Sequence, residues 1–181
     1  MYEPAEDTFF FFFFLKNYQG KNALEIGIGS GYLTHRLCQN FELVVGTDIS
    51  FDSLLFAKNN SLKNDQNKFL VCTDLGLSLK NKFDLIVSNP PYLPEGPVKF
   101  EDQTIHGGPE GIELSLRLTE SCVYLLSETG KLLIVRSNLS NLHKMDQLIK
   151  GLFLQSRIVA RKSLFFEVLE VVELSGINYQ S

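Results

Sequence analysis

Residues Asn22-Ala23-Leu24-Glu25-Ile26-Gly27-Ile28-Gly29-Ser30-Gly31 read as a strand running into a glycine turn, and residues 32–40 continue as a helix. Glycines at such a turn permit tight bending and close approach of backbone to a ligand. Outward from this unit, strand and helix alternate. Strands are expected over residues 43–48, 68–73, 83–88 and 131–136, with helices over 52–63, 109–127 and 139–150. Such alternation builds a parallel sheet covered by helices. The end of the chain differs. Residues 155–161 and 164–174 are β-rich with no helix between them, so they pair as an antiparallel hairpin at the sheet's edge. The expected fold class is α/β: one domain over residues 1–181, a seven-stranded, mostly parallel sheet, and helices on both faces.

Residues 83–88 are an apolar run that ends at Asn89-Pro90-Pro91-Tyr92. Prolines cannot continue a central strand because each lacks a ladder N–H. The chain must turn out of the sheet with Asn89 at the strand tip, where open α/β sheets hold their ligands. Asn89 offers an amide oxygen to accept and an NH2 to donate. The Pro90 carbonyl is a further acceptor and Tyr92 offers a flat face. Together they suit a planar group ending in NH2. Asn89, Pro90 and Tyr92 are the catalytic candidates, and Pro91 completes the acceptor site. A long loop over residues 93–108, holding Pro94, Gly96, Pro97 and His106, follows directly and is expected to cover or shape that site.

With 181 residues the chain can bury a substantial core. Its 44% hydrophobic and 21% charged content is that of a soluble globular protein. A formal net charge of −4 supplies no basic field to gather nucleic acid. Cys38, Cys72 and Cys122 lie far apart without zinc spacing, and are expected to be small buried residues in a reducing, cytoplasmic setting. No metal site is expected. Residues 9–14 are all phenylalanine. This run is far short of the roughly 20 apolar residues that span a bilayer. Glu3, Glu6 and Asp7 precede it, where a signal peptide would be basic. A first helix entered through Pro4, with its apolar surface covered on most sides, is expected. His35, His106 and His143 are read as surface or packing residues, and Arg157, Arg161 and Lys162 as a solvated basic face.

Asp48 ends the strand after the glycine turn, where a carboxylate can hold two ribose hydroxyls. This suits any nucleoside-bearing cofactor, and the glycine spacing is not G-x-G-x-x-G. Glu25 narrows the choice. It would repel the pyrophosphate of NAD, whereas S-adenosylmethionine carries an ammonium and a sulfonium there. Asp74, at the end of the third strand, is placed to accept from an adenine amino group.

These motifs resemble the class I S-adenosylmethionine-dependent methyltransferases, whose Rossmann-like fold matches the alternation above. Tyr2-Glu3-Pro4-Ala5-Glu6-Asp7-Thr8, Asn89-Pro90-Pro91-Tyr92 and Gly107-Gly108-Pro109-Glu110-Gly111 narrow this to the HemK/PrmC family of release-factor glutamine methyltransferases. The resemblance covers residues 2–174. It implies cofactor contacts from Thr8, Glu25, Gly27, Gly29, Gly31, Asp48, Asp74, Leu75 and Asn89, with Leu75 acting through its backbone. It implies substrate contacts from Asn89, Pro90, Pro91 and Tyr92. Nothing in the sequence precedes Met1 as a helical domain would, so the chain is more similar to the single-domain archaeal and eukaryotic branch. That branch implies a class 1 peptide-chain release factor as substrate and a small zinc-binding activator subunit that covers apolar surface. The alternatives are an adenine-N6 methyltransferase acting on DNA or RNA, a protein lysine methyltransferase, and an idle binding module.

Overall fold

The computed structural model describes residues 4–94, 107–152 and 154–176. Helix α1 (Glu6–Phe14) opens the chain, with Glu6 and Asp7 in its first turn, where the helix dipole favours acids. The sheet elements follow as β1 (Gly20–Ile26), α2 (Tyr32–Cys38), β2 (Phe41–Asp48), α3 (Phe51–Asn59), β3 (Lys68–Cys72) and β4 (Phe83–Ser88). The second half adds α4 (Glu113–Cys122), β5 (Leu126–Ser137), α5 (Leu142–Gly151), β6 (Leu154–Ser163) and β7 (Val168–Gly176).

The seven strands lie in the order β3-β2-β1-β4-β5-β7-β6. Strands β1 to β5 pair in parallel, and β7 pairs antiparallel with both β5 and β6. The chain starts at the centre, winds out to β3, then crosses back to lay β4 beside β1. The reversal puts a crevice at the carboxyl ends of β1 and β4, where ligands bind in open α/β sheets. Glu25 and Asn89 stand at those two ends.

Side-chain alternation along the strands feeds a core on each face. Leu24, Ile26, Ile86, Leu132 and Ile134 pack with Leu118 of α4 and with Met145 and Ile149 of α5. Ala23, Val44, Leu85, Val87 and Leu133 pack with Phe11 of α1 and with Leu33 and Leu37 of α2. Fully burying a side chain such as Phe11 contributes about 1.5–3 kcal/mol.

The phenylalanine helix is covered on most sides, as expected: Phe11 is fully buried and Phe10, Phe12 and Phe14 pack against the core, leaving a stripe of Phe9, 41% exposed, and Phe13, 65% exposed. A helix apolar all round does not select its own buried face, and the sheet takes the one it meets. Other expectations need correction. Cys122 is buried, Cys38 half-buried and Cys72 exposed. The helix expected from residue 109 begins only at Glu113, because Gly108 and Gly111 take left-handed φ of 106° and 69° and the Glu113 carboxylate accepts the Glu110 and Ile112 N–H groups. It also stops early, at Cys122, and β5 begins at Leu126 rather than 131. Helix α3 ends at Asn59, where Asn60 leaves helical geometry. Tyr2, Glu3, His106 and most of the long loop lie outside the described residues.

Candidate active site

A cavity of about 530 Å³ opens at the carboxyl ends of β1 and β4. That is within the ordinary range for a small-molecule site. Of the residues expected from sequence, Thr8, Glu25, Gly27, Gly29, Asp48, Asn89, Pro90, Pro91 and Tyr92 line it. Asp7 and Tyr32 line it too and were not anticipated.

The glycine turn spends its own donors. The Gly27 and Ile28 N–H groups both donate to the Thr47 carbonyl, at 2.8 and 3.0 Å, and Gly31 N–H donates to the Ile28 carbonyl at 2.7 Å. Gly29 N–H donates to Asp48 Oδ2 at 3.0 Å, and Ser50 N–H to Asp48 Oδ1 at 2.8 Å. These four turn N–H groups are therefore not left to cradle a phosphate. Each oxygen of the fixed Asp48 carboxylate retains further accepting capacity, and Asp48 lines the cavity. A Cβ on Gly27 or Gly29 would meet nothing within 4 Å, so both face open space. Gly31 differs: a Cβ there would sit 2.7 Å from Ala57 Cβ, so this glycine serves packing against α3 and does not line the cavity.

Glu25 is 2% exposed and accepts a hydrogen bond from the Thr34 hydroxyl of α2. Burial pushes its carboxyl up to about 8, Asp48 adds to the rise, and Thr34 opposes it. A buried acid of this kind at a cavity wall favours a cationic ligand group. It is the residue in the site whose charge a cation would restore.

The acceptor side is assembled from distant pieces. Asn89 Nδ2 donates to Asp7 Oδ2 at 2.8 Å across 82 residues of sequence. A carboxylate accepts and does not donate, so Asp7 turns the amide NH2 toward itself and the oxygen away. Asn89 Oδ1 is buried and accepts from none of the described residues. Leaving a buried acceptor unsatisfied costs about 1–3 kcal/mol, so a ligand donor aimed at it would recover that cost. The Ser140 hydroxyl donates to the Tyr92 carbonyl at 2.6 Å. The glycine cluster supports the same turn: a Cβ on Gly107 would come within 2.4 Å of the Pro91 oxygen, and one on Gly111 within 2.5 Å of the Tyr92 oxygen.

Asp74 and Leu75 are not among the residues that line the cavity. Asp74 instead pairs with Arg117 at 2.9 Å, both side chains well exposed. Leu75 holds a left-handed φ of 53° and packs partly against the core. His35 pairs with Asp65 at 2.9 Å and His143 contacts Gln147, both away from the cavity. Among the described residues no cluster of His, Cys, Asp and Glu could hold a metal, and no helix is long and apolar enough to cross a membrane.

The mostly parallel seven-stranded sheet, with its order reversing between β1 and β4 and an antiparallel hairpin at the far edge, is the fold of the class I methyltransferases. The methyltransferase small domain family matches residues 7–170, and the chain belongs to it. Among its relatives is MJ0928 of Methanocaldococcus jannaschii, assigned as a protein N5-glutamine methyltransferase. It is 31% identical over 177 residues, covering 95% of this chain and 90% of that protein. Methyltransferase HEMK2 of Mus musculus is 30% identical over 97% of this chain and 89% of its own. In fold the chain is similar to Mtq2 of E. cuniculi, solved in complex with Trm112, with a TM-score of 0.76 at 24% identity over 97% of this chain and 98% of that one.

Proposed function

We propose that the chain methylates the side-chain nitrogen of the glutamine in the Gly-Gly-Gln loop of a class 1 peptide-chain release factor. The observation that carries this reading is the buried Asn89 Oδ1, without a partner among the described residues and aimed by Asp7. S-adenosylmethionine supplies the methyl on a sulfonium that leaves as a neutral thioether. Glu25 suits the donor's ammonium and Asp48 its ribose hydroxyls, with Thr8, Gly27 and Gly29 completing that wall. The relatives' assignments support the choice of substrate: protein N5-glutamine methylation for MJ0928, and eRF1 methylation for the Mtq2–Trm112 complex.

An amide nitrogen is a poor nucleophile because its lone pair is delocalised into the carbonyl. The chain's task is to align it and to stabilise charge on it. Asn89 Oδ1 and the Pro90 carbonyl each accept one N–H of the acceptor NH2, and Tyr92 lines the pocket beside it. Held in this way, the nitrogen would face the methyl that S-adenosylmethionine supplies when bound, and these two acceptors would keep it in line with the carbon–sulfur bond. Positive charge growing on nitrogen strengthens both hydrogen bonds, which lowers the barrier. The nitrogen then sheds one proton to water.

A small zinc-binding activator subunit is part of this reading. Strand β3 is an edge of the sheet, and Phe69 on it is 58% exposed, with Phe51 and Phe56 of α3 at 64% and 42%. The edge of β3 is open to a partner strand, and exposed aromatic rings flank it on both faces of the sheet. The test supplies labelled S-adenosylmethionine with release factor, with the factor bearing Gln→Ala in its loop, and with adenine-containing DNA or RNA, each with and without an activator. Label on the intact factor only is expected. Label confined to nucleic acid would replace this reading with adenine-N6 methylation.

A further inference from the structure

The turn that joins β6 and β7 is closed by Leu164 N–H donating to the Glu167 carbonyl at 2.8 Å, which leaves Phe165 and Phe166 as its central pair. Two-residue hairpins favour Asn-Gly or Asp-Gly there, because the matching turns need positive φ. Neither phenylalanine has positive φ. They are 92% and 84% exposed, and their rings stack edge to face at 4.6 Å. Turn chemistry does not ask for this pair, and the core does not use it. Two stacked aromatic rings held out to solvent are a binding feature.

Their place says what they meet. Val168, next to the turn, is bonded to Asn138 just past the carboxyl end of β5, and Glu167 accepts from Ser137 at 2.6 Å. The tip therefore stands at the same end of the sheet as Asn89. It lies on the acceptor side, since β5, β7 and β6 follow β4 in the sheet while the cofactor wall lies on β1 and β2. With strands about 4.8 Å apart, the tip stands roughly 10–14 Å from the β4 tip. Lys162 at its base reaches the Glu6 carbonyl at 3.3 Å, on the helix that carries Asp7. Charge selects between macromolecules. Arg161 is paired with Glu170 and Arg157 with Glu173, both at 2.9 Å, glutamates that Arg136 and Lys131 share, and Lys162 is paired with Glu6 of α1 at 3.8 Å, so each of the hairpin's cations already meets an acid. Little is left over for phosphates, and an apolar contact with protein is favoured.

We propose that the Phe165–Phe166 tip docks the body of the protein whose glutamine enters the Asn89 pocket. The inference rests on the function proposed above. The test replaces Phe165→Asn and Phe166→Gly together, which removes the rings and installs a favoured hairpin turn, so folding is not at risk. KM for the intact release factor should rise at least fivefold, as expected on losing an aromatic anchor. Turnover, cofactor affinity and KM for a short peptide carrying the Gly-Gly-Gln loop should stay as they were. An unchanged KM for the intact factor overturns the docking role, and so does an equal loss with the peptide. Loss of RNA binding with factor KM unaltered also overturns it, in favour of a nucleic-acid contact. If the unaltered chain with activator methylates no release factor, the proposed function itself fails and takes this inference with it.

Discussion

The two walls of the cavity are built on opposite plans. The cofactor wall comes mostly from β1, the glycine turn and the end of β2, with Thr8 added from α1, and its turn donors are already satisfied: four turn N–H groups bond within the protein, and Asp48 is held through both oxygens. The acceptor wall is drawn from Asp7, Asn89 and Ser140, far apart in sequence, and keeps one buried acceptor unspent. The first wall recognises a ligand by charge and shape that exist before binding. The second holds a hydrogen bond in reserve for the group that reacts. Catalysis draws on interactions completed in the transition state, so mutations on the acceptor wall should strike turnover and those on the cofactor wall should strike affinity.

Asn89→Ala tests that division most severely. It should cut kcat by about 10²–10³, as losing one transition-state hydrogen bond does elsewhere. Cofactor affinity by titration calorimetry should stay measurable. Normal turnover would remove Asn89 from the mechanism.

Asp7 should come next. It is 5% exposed and fixes the Asn89 amide at 2.8 Å. In Asp7→Asn the neighbour can donate as well as accept, so the Asn89 amide loses its fixed orientation. A hydrogen bond to a charged group is worth about 1.5–3 kcal/mol, which corresponds to roughly 10–100-fold in kcat. The double variant Asp7→Asn with Asn89→Asp restores a donor facing a carboxylate and an oxygen facing the pocket. It should recover part of the loss. A purely structural Asp7 would show no such rescue, and the double variant would be worse than either single change.

Asp7 also marks where the sequence stopped being legible. Its place before the phenylalanine run reads as an acid favoured by a helix dipole, which it also is. Nothing local says that α1 will cross the tip of β4. Glu25, Asp48 and Asn89 were legible because a strand end announces itself through the turn that follows. Gly31 and Gly27 look alike in sequence, yet only a tertiary neighbour, Ala57, separates a packing glycine from one that faces the cavity. Asp74 was placed at its strand end correctly, but a surface arginine from α4 holds its carboxylate. The parallel sheet was readable from the alternation, whereas the buried face of α1 was not, since six identical side chains carry no periodicity.

On the cofactor wall, Asp48→Ala should weaken cofactor affinity by about tenfold, roughly one charged hydrogen bond, with kcat at saturation near normal. It also strips Gly29 and Ser50 of their acceptor, so the thermal midpoint should fall. Unchanged affinity would take the ribose role from Asp48.

Glu25 offers the gentlest handle, through pH. Burial pushes its carboxyl up to about 8, against an ordinary value of 4.5. Folding therefore favours the protonated form. The stability it lends is complete below about pH 4.5 and is lost as pH rises through about 8. A ligand ammonium wants the ionised form, so binding must release the proton whenever pH lies below that value. Affinity should accordingly tighten by about fivefold between pH 7 and pH 8 and level off above, beyond whatever the ligand's own titration contributes. Glu25→Gln cannot titrate. Its affinity should be weaker and carry only the ligand's pH dependence, and its stability should lose this slope. If the ratio of the two proteins' affinities stays flat from pH 6 to pH 9, the ammonium is held by some other group, and the cofactor wall does not select its ligand by this buried charge.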